Sequence, residues 1–173
     1  LDVDWRGEAP DGDYRSLVRD GSEGAMNLLL DTNVLIDYLA ARSRFSSSAQ
    51  KVVIAGFFGD ARLWVPSQSV VDAFYVLSRY VDSARLQAAI LKALTVIEPV
   101  DLTGASLERA ARLGWDDFED CLIALAAERV GADYLITRDA KGFARSTVPA
   151  VSPDAWLNVM REEHSLDYGE VQL

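Results

Sequence analysis

Short apolar segments alternate with helical patterns from Met26 onward, and this alternation limits the possible folds more than any other feature of the sequence. The segments Asn27–Leu30, Arg62–Val65 and Tyr134–Thr137 are short, largely apolar and followed by a polar residue or a proline. Parallel strands that are buried on both faces and joined by helical crossovers have this character. We therefore expect an α/β fold, a three-layer α/β/α domain with a central, mostly parallel sheet over residues 26–160.

The remaining elements follow from hydrophobic periodicity and from helix start and stop signals. Two more strands are predicted, at Thr95–Val100 and Ala150–Val151. Seven helices are predicted, with Ser67 as the cap of the third: Val34–Leu39, Ala49–Phe58, Ser67–Leu77, Leu86–Leu94, Ala105–Leu113, Phe118–Arg129 and Pro153–Met160. Residues 1–25 are expected to form an N-terminal arm, and residues 161–173 a polar C-terminal tail.

The rarest residue types exclude several kinds of chemistry. The sequence has one cysteine, Cys121, and one histidine, His164. A disulfide framework and a Cys/His zinc cluster are therefore impossible within one chain, and any catalysis must depend on carboxylates, hydroxyls, Arg or Lys. A single free thiol is typical of the reducing cytoplasm. No apolar stretch reaches the roughly 18 residues that a membrane span needs, so we expect no membrane association.

The acidic balance argues against a protein that binds nucleic acid by bulk positive charge. The formal net charge is −10, whereas such domains are usually basic. The acidity is unevenly distributed, however. Residues 1–25 hold three basic and seven acidic side chains, and residues 159–173 hold one and four. Between these two ends the chain is close to neutral, so the charge excludes a broad basic footprint but not a nucleic-acid partner.

Four carboxylates are predicted to meet at one edge of the sheet. Asp31 and Asp139 follow buried strands, and Asp72 and Asp120 lie in the first turns of helices that begin at the same edge. Carboxylates packed together either take up protons or bind a cation, and oxygen ligands without His or Cys favour Mg²⁺ or Mn²⁺. Such an ion activates water and stabilises charge on a phosphodiester. Asp72, Asp120 and Asp139 also have purely structural interpretations, as an exposed helical side chain, a helix cap and a turn residue. Asp31 is harder to explain in this way, because an Asp directly after a buried strand needs a partner.

Three segments resemble the motifs of a PIN domain. LLLDTNVLID, from Leu28 to Asp37, is similar to the opening of that domain. The segments that begin at Asp117, DFEDCLIA, and at Gly131, GADYLITRD, resemble its third and fourth motifs. The resemblance covers nearly all of residues 26–160, and the most similar type is the VapC-like toxin of bacterial toxin–antitoxin pairs. It implies a cytoplasmic Mg²⁺- or Mn²⁺-dependent ribonuclease that acts on RNA, has a cognate antitoxin and can form a homodimer.

The resemblance also assigns roles to individual residues. Asp31, Asp120 and Asp139 fall on acidic positions that hold the metal, and Asp72 falls where many members carry Glu. Since Asp is one methylene shorter than Glu, Asp72 is expected to reach a metal only through water, and the four acids together form the catalytic set. Hydrogen-bonding support for these ligands is assigned to Thr32, Asn33, Asp117 and Thr137. Phosphate contacts are assigned to Arg138 and Lys141, with Arg42, Arg44 and Arg145 as further candidates.

Three other hypotheses remain open on the sequence. A PIN-fold module that binds protein or RNA without catalysis would share the same fold, although all four acidic positions are filled. A dehalogenase-like phosphatase needs a second acid two residues after the first, where this chain has Asn33. Finally, residues 1–25 carry three arginines and could dock on the acidic site, in the same chain or in a neighbouring copy, and restrain its activity.

Overall fold

The computed structural model describes residues 24–40 and 44–168. Most of the expected N-terminal arm, residues 1–23, lies outside the described residues, as do residue Arg42 and the end of the C-terminal tail. Five strands are present in the described part: β1 Met26–Leu30, β2 Ala61–Pro66, β3 Ile97–Val100, β4 Tyr134–Ile136 and β5 Ala150–Val151. Seven helices accompany them: α1 Thr32–Ala40, α2 Ser46–Phe58, α3 Ser67–Leu77, α4 Ser83–Ala93, α5 Gly104–Leu113, α6 Phe118–Arg129 and α7 Pro153–His164.

The strands form one sheet in the order β3-β2-β1-β4-β5, and every pairing is parallel. Helices cover both faces, as the alternation of side chains along β1 makes clear. Leu28 and Leu30 belong to one hydrophobic core with side chains from α1, α2, α3, α4 and α7. Leu29 points to the other face and packs in a core with Ile123 and Ala127 of α6. The predicted three-layer α/β/α fold is therefore confirmed, with a sheet that is wholly parallel.

The strand order creates a crevice beside β1. The chain runs from β1 to β2 and β3 on one side, and then returns to add β4 and β5 on the other side. The carboxyl ends of β1 and β4 lie at this reversal, where ligands bind in open parallel sheets. Leu30 pairs with Ile136, and the Asp31 amide donates a hydrogen bond of 2.9 Å to the Ile136 carbonyl. The residues that follow the two strands are consequently neighbours.

Two element boundaries and one helix cap differ from the prediction, and the two boundaries are set by local hydrogen bonds. Helix α4 begins at Ser83 rather than Leu86, since the Asp82 side chain accepts hydrogen bonds from two amides of the first turn. Strand β3 begins at Ile97 rather than Thr95, because the Thr95 amide closes the preceding helix on the Lys92 carbonyl. Ser67 was expected to cap α3, and this was wrong: Pro66 occupies the cap position and no side chain caps the helix.

The C-terminal end is longer and better packed than the pattern indicated. Helix α7 continues four residues beyond Met160, to His164, and its last turn presents exposed polar side chains. Tyr168 is buried against the first core, and its hydroxyl donates a hydrogen bond of 3.0 Å to Asp60. Residues 161–168, expected to be a polar tail, thus include a helical turn and a core residue. Every helix in the described ranges is too short or too polar to cross a lipid bilayer.

Candidate metal centre

Asp31 lies at the centre of the crevice because β1 ends there and α1 begins one residue later. Its side chain is buried, with 3% of its surface exposed. Burial raises the pKa of this carboxyl, while hydrogen bonds from Thr137, from the Thr32 and Asn33 amides and from the Asn33 side chain act in the opposite direction. Such a carboxylate is costly to ionise in isolation but surrounded by donors that fix its orientation.

Thr137 connects the ends of β1 and β4 through a single hydroxyl. Its Oγ1 donates to Asp31 Oδ2 across 2.8 Å, and it accepts a hydrogen bond of 3.0 Å from the Asp139 amide. Thr137 is completely buried; its bond to Asp31 is buried and its bond to the Asp139 amide is partly buried. The hydroxyl therefore fixes the backbone of Asp139 relative to the carboxylate of Asp31.

Asp120 enters the crevice from the first turn of α6. The cap of that helix is Asp117, whose Oδ1 accepts hydrogen bonds from the amides of Glu119 at 2.9 Å and Asp120 at 3.1 Å. Asp117 therefore acts as a helix cap, which leaves the Asp120 carboxylate to face the crevice. In the sequence either acid could have capped the helix, and only the backbone geometry distinguishes them.

Burial and neighbouring negative charges raise the pKa of the Asp120 carboxyl. Burial, followed by the charges of Asp117, Asp31, Asp139 and Glu119, raises the pKa of Asp120 from 3.8 to about 6. Three of the four predicted acids are thus close enough to act on one another. Carboxylates in this arrangement repel until a proton or a cation compensates them, which suits a divalent ion with oxygen ligands.

Gly142 packs directly against two of these carboxylates. A Cβ atom at this position would lie 2.6 Å from Asp120 Oδ2 and 3.4 Å from Asp139 Oδ2. The Gly142 amide also donates a hydrogen bond of 3.3 Å to Asp139 Oδ1. Any side chain at this position would push the Asp120 carboxylate aside, so glycine allows the loop after β4 and this carboxylate to approach each other closely.

A second group of polar side chains supports the crevice from the α3 side. Thr32 Oγ1 lies 2.7 Å from Ser69 Oγ and 2.9 Å from Glu119 Oε1. Thr32 and Ser69 are both buried. Thr32 was predicted to support the acids: its amide donates a hydrogen bond to Asp31, while its hydroxyl joins α1 to the starts of α3 and α6.

Asp72 stands apart from the other three acids. It is half-buried on α3, and its carboxylate accepts a hydrogen bond of 3.0 Å from Gln68. It is not among the charges that raise the Asp120 pKa. No group of three or more His, Cys, Asp or Glu side chains within the described residues is already arranged to hold a metal ion. The acids therefore line an open crevice with a suitable donor set rather than a closed cage.

The predicted phosphate contacts occupy different environments. Arg138 Nε lies 3.2 Å from Asp37 Oδ2, and this carboxylate is buried in α1. Arg145 donates to the carbonyls of Leu113 and Gly114 at the end of α5, so it has a structural role that the sequence did not reveal. Lys141 is exposed in the loop after β4.

Sequence reasoning missed three contributors to this site. Ser69 lies outside the three motifs, and Glu119 lies inside one of them without an assigned role. Only the fold brings both to Thr32. Gly142 follows Asp139 by three residues, a spacing that is typical of a tight turn and that could have been noticed.

The comparisons with known proteins agree with this architecture. A family model described as PIN domain matches residues 27–141. No curated protein matches the sequence. Among solved structures, the chain is similar to VapBC2 from Rickettsia felis bound to a DNA fragment from their promoter, with a TM-score of 0.57 and 17% identity over 73% of this chain and 98% of that one.

Two further structures share the fold at similar distance. One is VapC20 of Mycobacterium tuberculosis, a sarcin–ricin loop cleaving toxin, with a TM-score of 0.58 and 16% identity over 70% of this chain and 97% of that one. The other is a toxin–antitoxin complex from Klebsiella pneumoniae, with a TM-score of 0.56 and 22% identity over 73% of this chain and 97% of that one. At these identities the likeness concerns the fold. Since the family model covers more than half of its residues, this chain belongs to the PIN domain family.

Proposed function

We propose that this protein is a Mg²⁺- or Mn²⁺-dependent endoribonuclease that hydrolyses RNA phosphodiester bonds. The observation that carries the proposal is the gathering of Asp31, Asp120 and Asp139 at the switch point of the sheet, where burial, followed by the charges of neighbouring acids, raises the pKa of Asp120 to about 6. A structural role for these acids would pair each with a cation of the protein. Within residues 24–40 and 44–168, no Lys or Arg forms an ion pair with these three acids, and carboxylates gathered without such a partner favour the binding of a divalent ion from solution.

In this proposal Asp31, Asp120 and Asp139 hold the ion, and Asp72 assists from α3. Such an ion, when bound, would lower the pKa of water and stabilise negative charge on the phosphodiester. Thr137 keeps the Asp31 carboxylate in place, and Asn33 adds a second donor to it. Asp139, which is exposed in its loop, or Asp72 accepts the proton that the attacking water loses.

The proposed biological setting is a toxin–antitoxin pair in the cytoplasm. The structures that share the fold include two toxin–antitoxin systems and a toxin that cleaves RNA of the sarcin–ricin loop. By this analogy we assign the chain a cognate antitoxin, an RNA substrate and a homodimeric state. The proposed division of the chain remains an N-terminal arm of residues 1–25, a nuclease domain of residues 26–160 and a C-terminal segment of residues 161–173.

The competing function is a PIN-fold module that binds protein or RNA without hydrolysing it. The crowded acids argue against it, because a site that has lost catalysis has no need for charges that repel one another. Cleavage of single-stranded and structured RNA in the presence of Mn²⁺ separates the two functions. The wild-type protein should cleave, and a variant with Asp31→Asn and Asp120→Asn, purified in the same way, should not. Equal cleavage by both would reveal a contaminating nuclease and refute the assignment.

A further inference from the structure

Two arginines meet on one aromatic ring at the edge of the crevice. The guanidinium carbon of Arg138 lies 4.7 Å from the centre of the Phe45 ring, and that of Arg44 lies 4.6 Å from the same centre. Both distances are within the range in which a guanidinium is attracted to an aromatic face. Phe45 is half-buried just before α2, so the ring holds two cations near one another at the protein surface.

A buried carboxylate fixes one of these arginines. Asp37 Oδ2 lies 3.2 Å from Arg138 Nε in an ion pair, and the Asp37 side chain is 5% exposed while that of Arg138 is 33% exposed. The buried carboxylate therefore attracts the guanidinium to one place at the surface. A guanidinium carries five N–H donors, most of them on its two terminal nitrogens. Nε lies beside Asp37 and the guanidinium carbon lies near the Phe45 ring, so the donors on the terminal nitrogens are the ones that can reach a further acceptor.

The cluster of Arg44, Phe45, Arg138 and Asp37 has an excess of positive charge. Two guanidiniums lie near the Phe45 ring and one of them pairs with Asp37, and like charges held together favour an anion between or beside them. Planar guanidiniums pair with phosphate through parallel hydrogen bonds, and stacking on an aromatic ring orders them beforehand.

We propose that Arg44 and Arg138 form a binding site for a backbone phosphate of the RNA substrate, next to the phosphate that is cleaved. This inference rests on the proposed function, because the cluster is joined to the acidic crevice by the chain itself. Arg138 immediately precedes Asp139, whose α-carbon is about 3.8 Å away along the chain. Thr137 hydrogen-bonds to Asp31, and the carboxylates of Asp139 and Asp120 both lie beside Gly142. Arg138, between them in the sequence, instead pairs with Asp37 on α1. In the proposed arrangement an RNA strand crosses the acids and reaches the arginine cluster on the α1 side.

The other predicted phosphate contacts fit this role less well. Arg145 is engaged by two backbone carbonyls and lies over the Trp115 ring. Lys141 is exposed and, as a flexible point charge, is not oriented by an aromatic ring or a buried acid. The two arginines on Phe45 are thus distinguished by a fixed geometry rather than by charge alone.

The test measures RNA binding without cleavage. In an Asp120→Asn background, a short fluorescein-labelled oligouridylate is titrated by fluorescence anisotropy over a series of salt concentrations. Arg44→Gln should raise the Kd about tenfold, as expected for the loss of one charge-assisted contact. It should also reduce the slope of log K against log salt by about 0.7, the contribution of one phosphate on a single strand. Arg138→Lys, which keeps the charge beside Asp37 but loses the planar fork, should weaken binding severalfold.

Arg79→Gln is the matched control. Arg79 also lies over an aromatic ring, that of Tyr75 at 4.9 Å. It follows the end of α3, whereas the start of that helix is the part that lies beside the crevice. The Kd of the Arg79→Gln variant for the oligouridylate should equal that of the Asp120→Asn parent. Equal effects of Arg44→Gln and Arg79→Gln, or a parent that does not bind the oligouridylate, would overturn the phosphate site. Binding that depends on Arg44 in a protein that never cleaves RNA would instead refute the nuclease and leave the phosphate site standing.

Discussion

Thr137 donates its hydroxyl hydrogen to Asp31 Oδ2 across 2.8 Å, and both side chains are buried. Asp31 follows β1 and Thr137 follows β4, so this bond joins the two strands at the point where the strand order reverses. The hydroxyl oxygen of Thr137 also accepts a hydrogen bond from the Asp139 amide. One hydroxyl thereby fixes two of the three proposed ligands with respect to each other.

Replacing Thr137 with valine removes this hydroxyl while preserving the shape of the side chain. The buried Asp31 oxygen loses its donor, which should lower the free energy of unfolding by about 1–3 kcal/mol. Mn²⁺ affinity should fall about 10–100-fold, as for other groups that orient metal ligands. Chemical denaturation and calorimetric titration measure the two effects. Thr137→Ser retains the hydroxyl and should keep most of the affinity; a serine variant as weak as the valine variant would contradict the role of the bond.

A methyl group at Gly142 should displace Asp120. The added Cβ would lie 2.6 Å from Asp120 Oδ2, so Gly142→Ala should reduce Mn²⁺ affinity and RNA cleavage by at least about tenfold while leaving the circular dichroism spectrum unchanged. Gly104→Ala is the matched control, because nothing lies within 4 Å of a Cβ at that position. Similar behaviour of the two alanine variants would show that Asp120 does not depend on Gly142.

The metal-free protein should become less stable as the pH rises from about 4 to about 6. The pKa of Asp120 increases from 3.8 to about 6 on folding. Between these values the folded state binds more protons than the unfolded state, so its stability declines with rising pH. Asp120→Asn removes the contribution of this residue, so it should reduce the pH dependence and raise the melting temperature at neutral pH in EDTA. Thermal melts across this pH range provide the measurement, with the exposed Glu163→Gln on α7 as a control. An Asn variant less stable than wild type at neutral pH would contradict the repulsion.

The C-terminal segment should contribute to stability. Tyr168→Phe removes the hydrogen bond to Asp60 and should cost about 1 kcal/mol. Tyr168→Ala also empties a buried position and should cost about 3–5 kcal/mol. Urea denaturation measures both. If the alanine variant is as stable as wild type, residues beyond α7 do not belong to the folded unit.

The sequence predicted those elements whose signals are local. Helix α6 has the predicted bounds, Phe118–Arg129, since Asp117 caps its start. Helix α7 was predicted to end at Met160 because the apolar period stops there. Its last turn is exposed and polar, and the helix is ended by Ser165 in a left-handed conformation rather than by a glycine.

The sequence indicated the position of two acids of the candidate site but not the contacts between distant segments. Acids that follow strands of a parallel sheet must lie at one edge, which placed Asp31 and Asp139 correctly with respect to the crevice. Contacts between distant segments have no such signal. Glu119 reaches Thr32 across the fold, and Arg138 turns away from the acids toward Asp37. Neither choice can be read from spacing, because it depends on which face of each element meets its neighbour.

The most direct test of the metal centre is a calorimetric Mn²⁺ titration of the wild-type protein and its carboxylate variants. Asp31→Asn, Asp120→Asn and Asp139→Asn should each abolish or greatly weaken a site that the wild type possesses. Asp72→Asn should weaken it less, because Asp72 stands apart from the other acids, and Glu163→Gln should leave it unchanged. A wild-type protein that binds no Mn²⁺ at millimolar concentration, or an Asp120→Asn variant that binds it as tightly as wild type, would contradict the account.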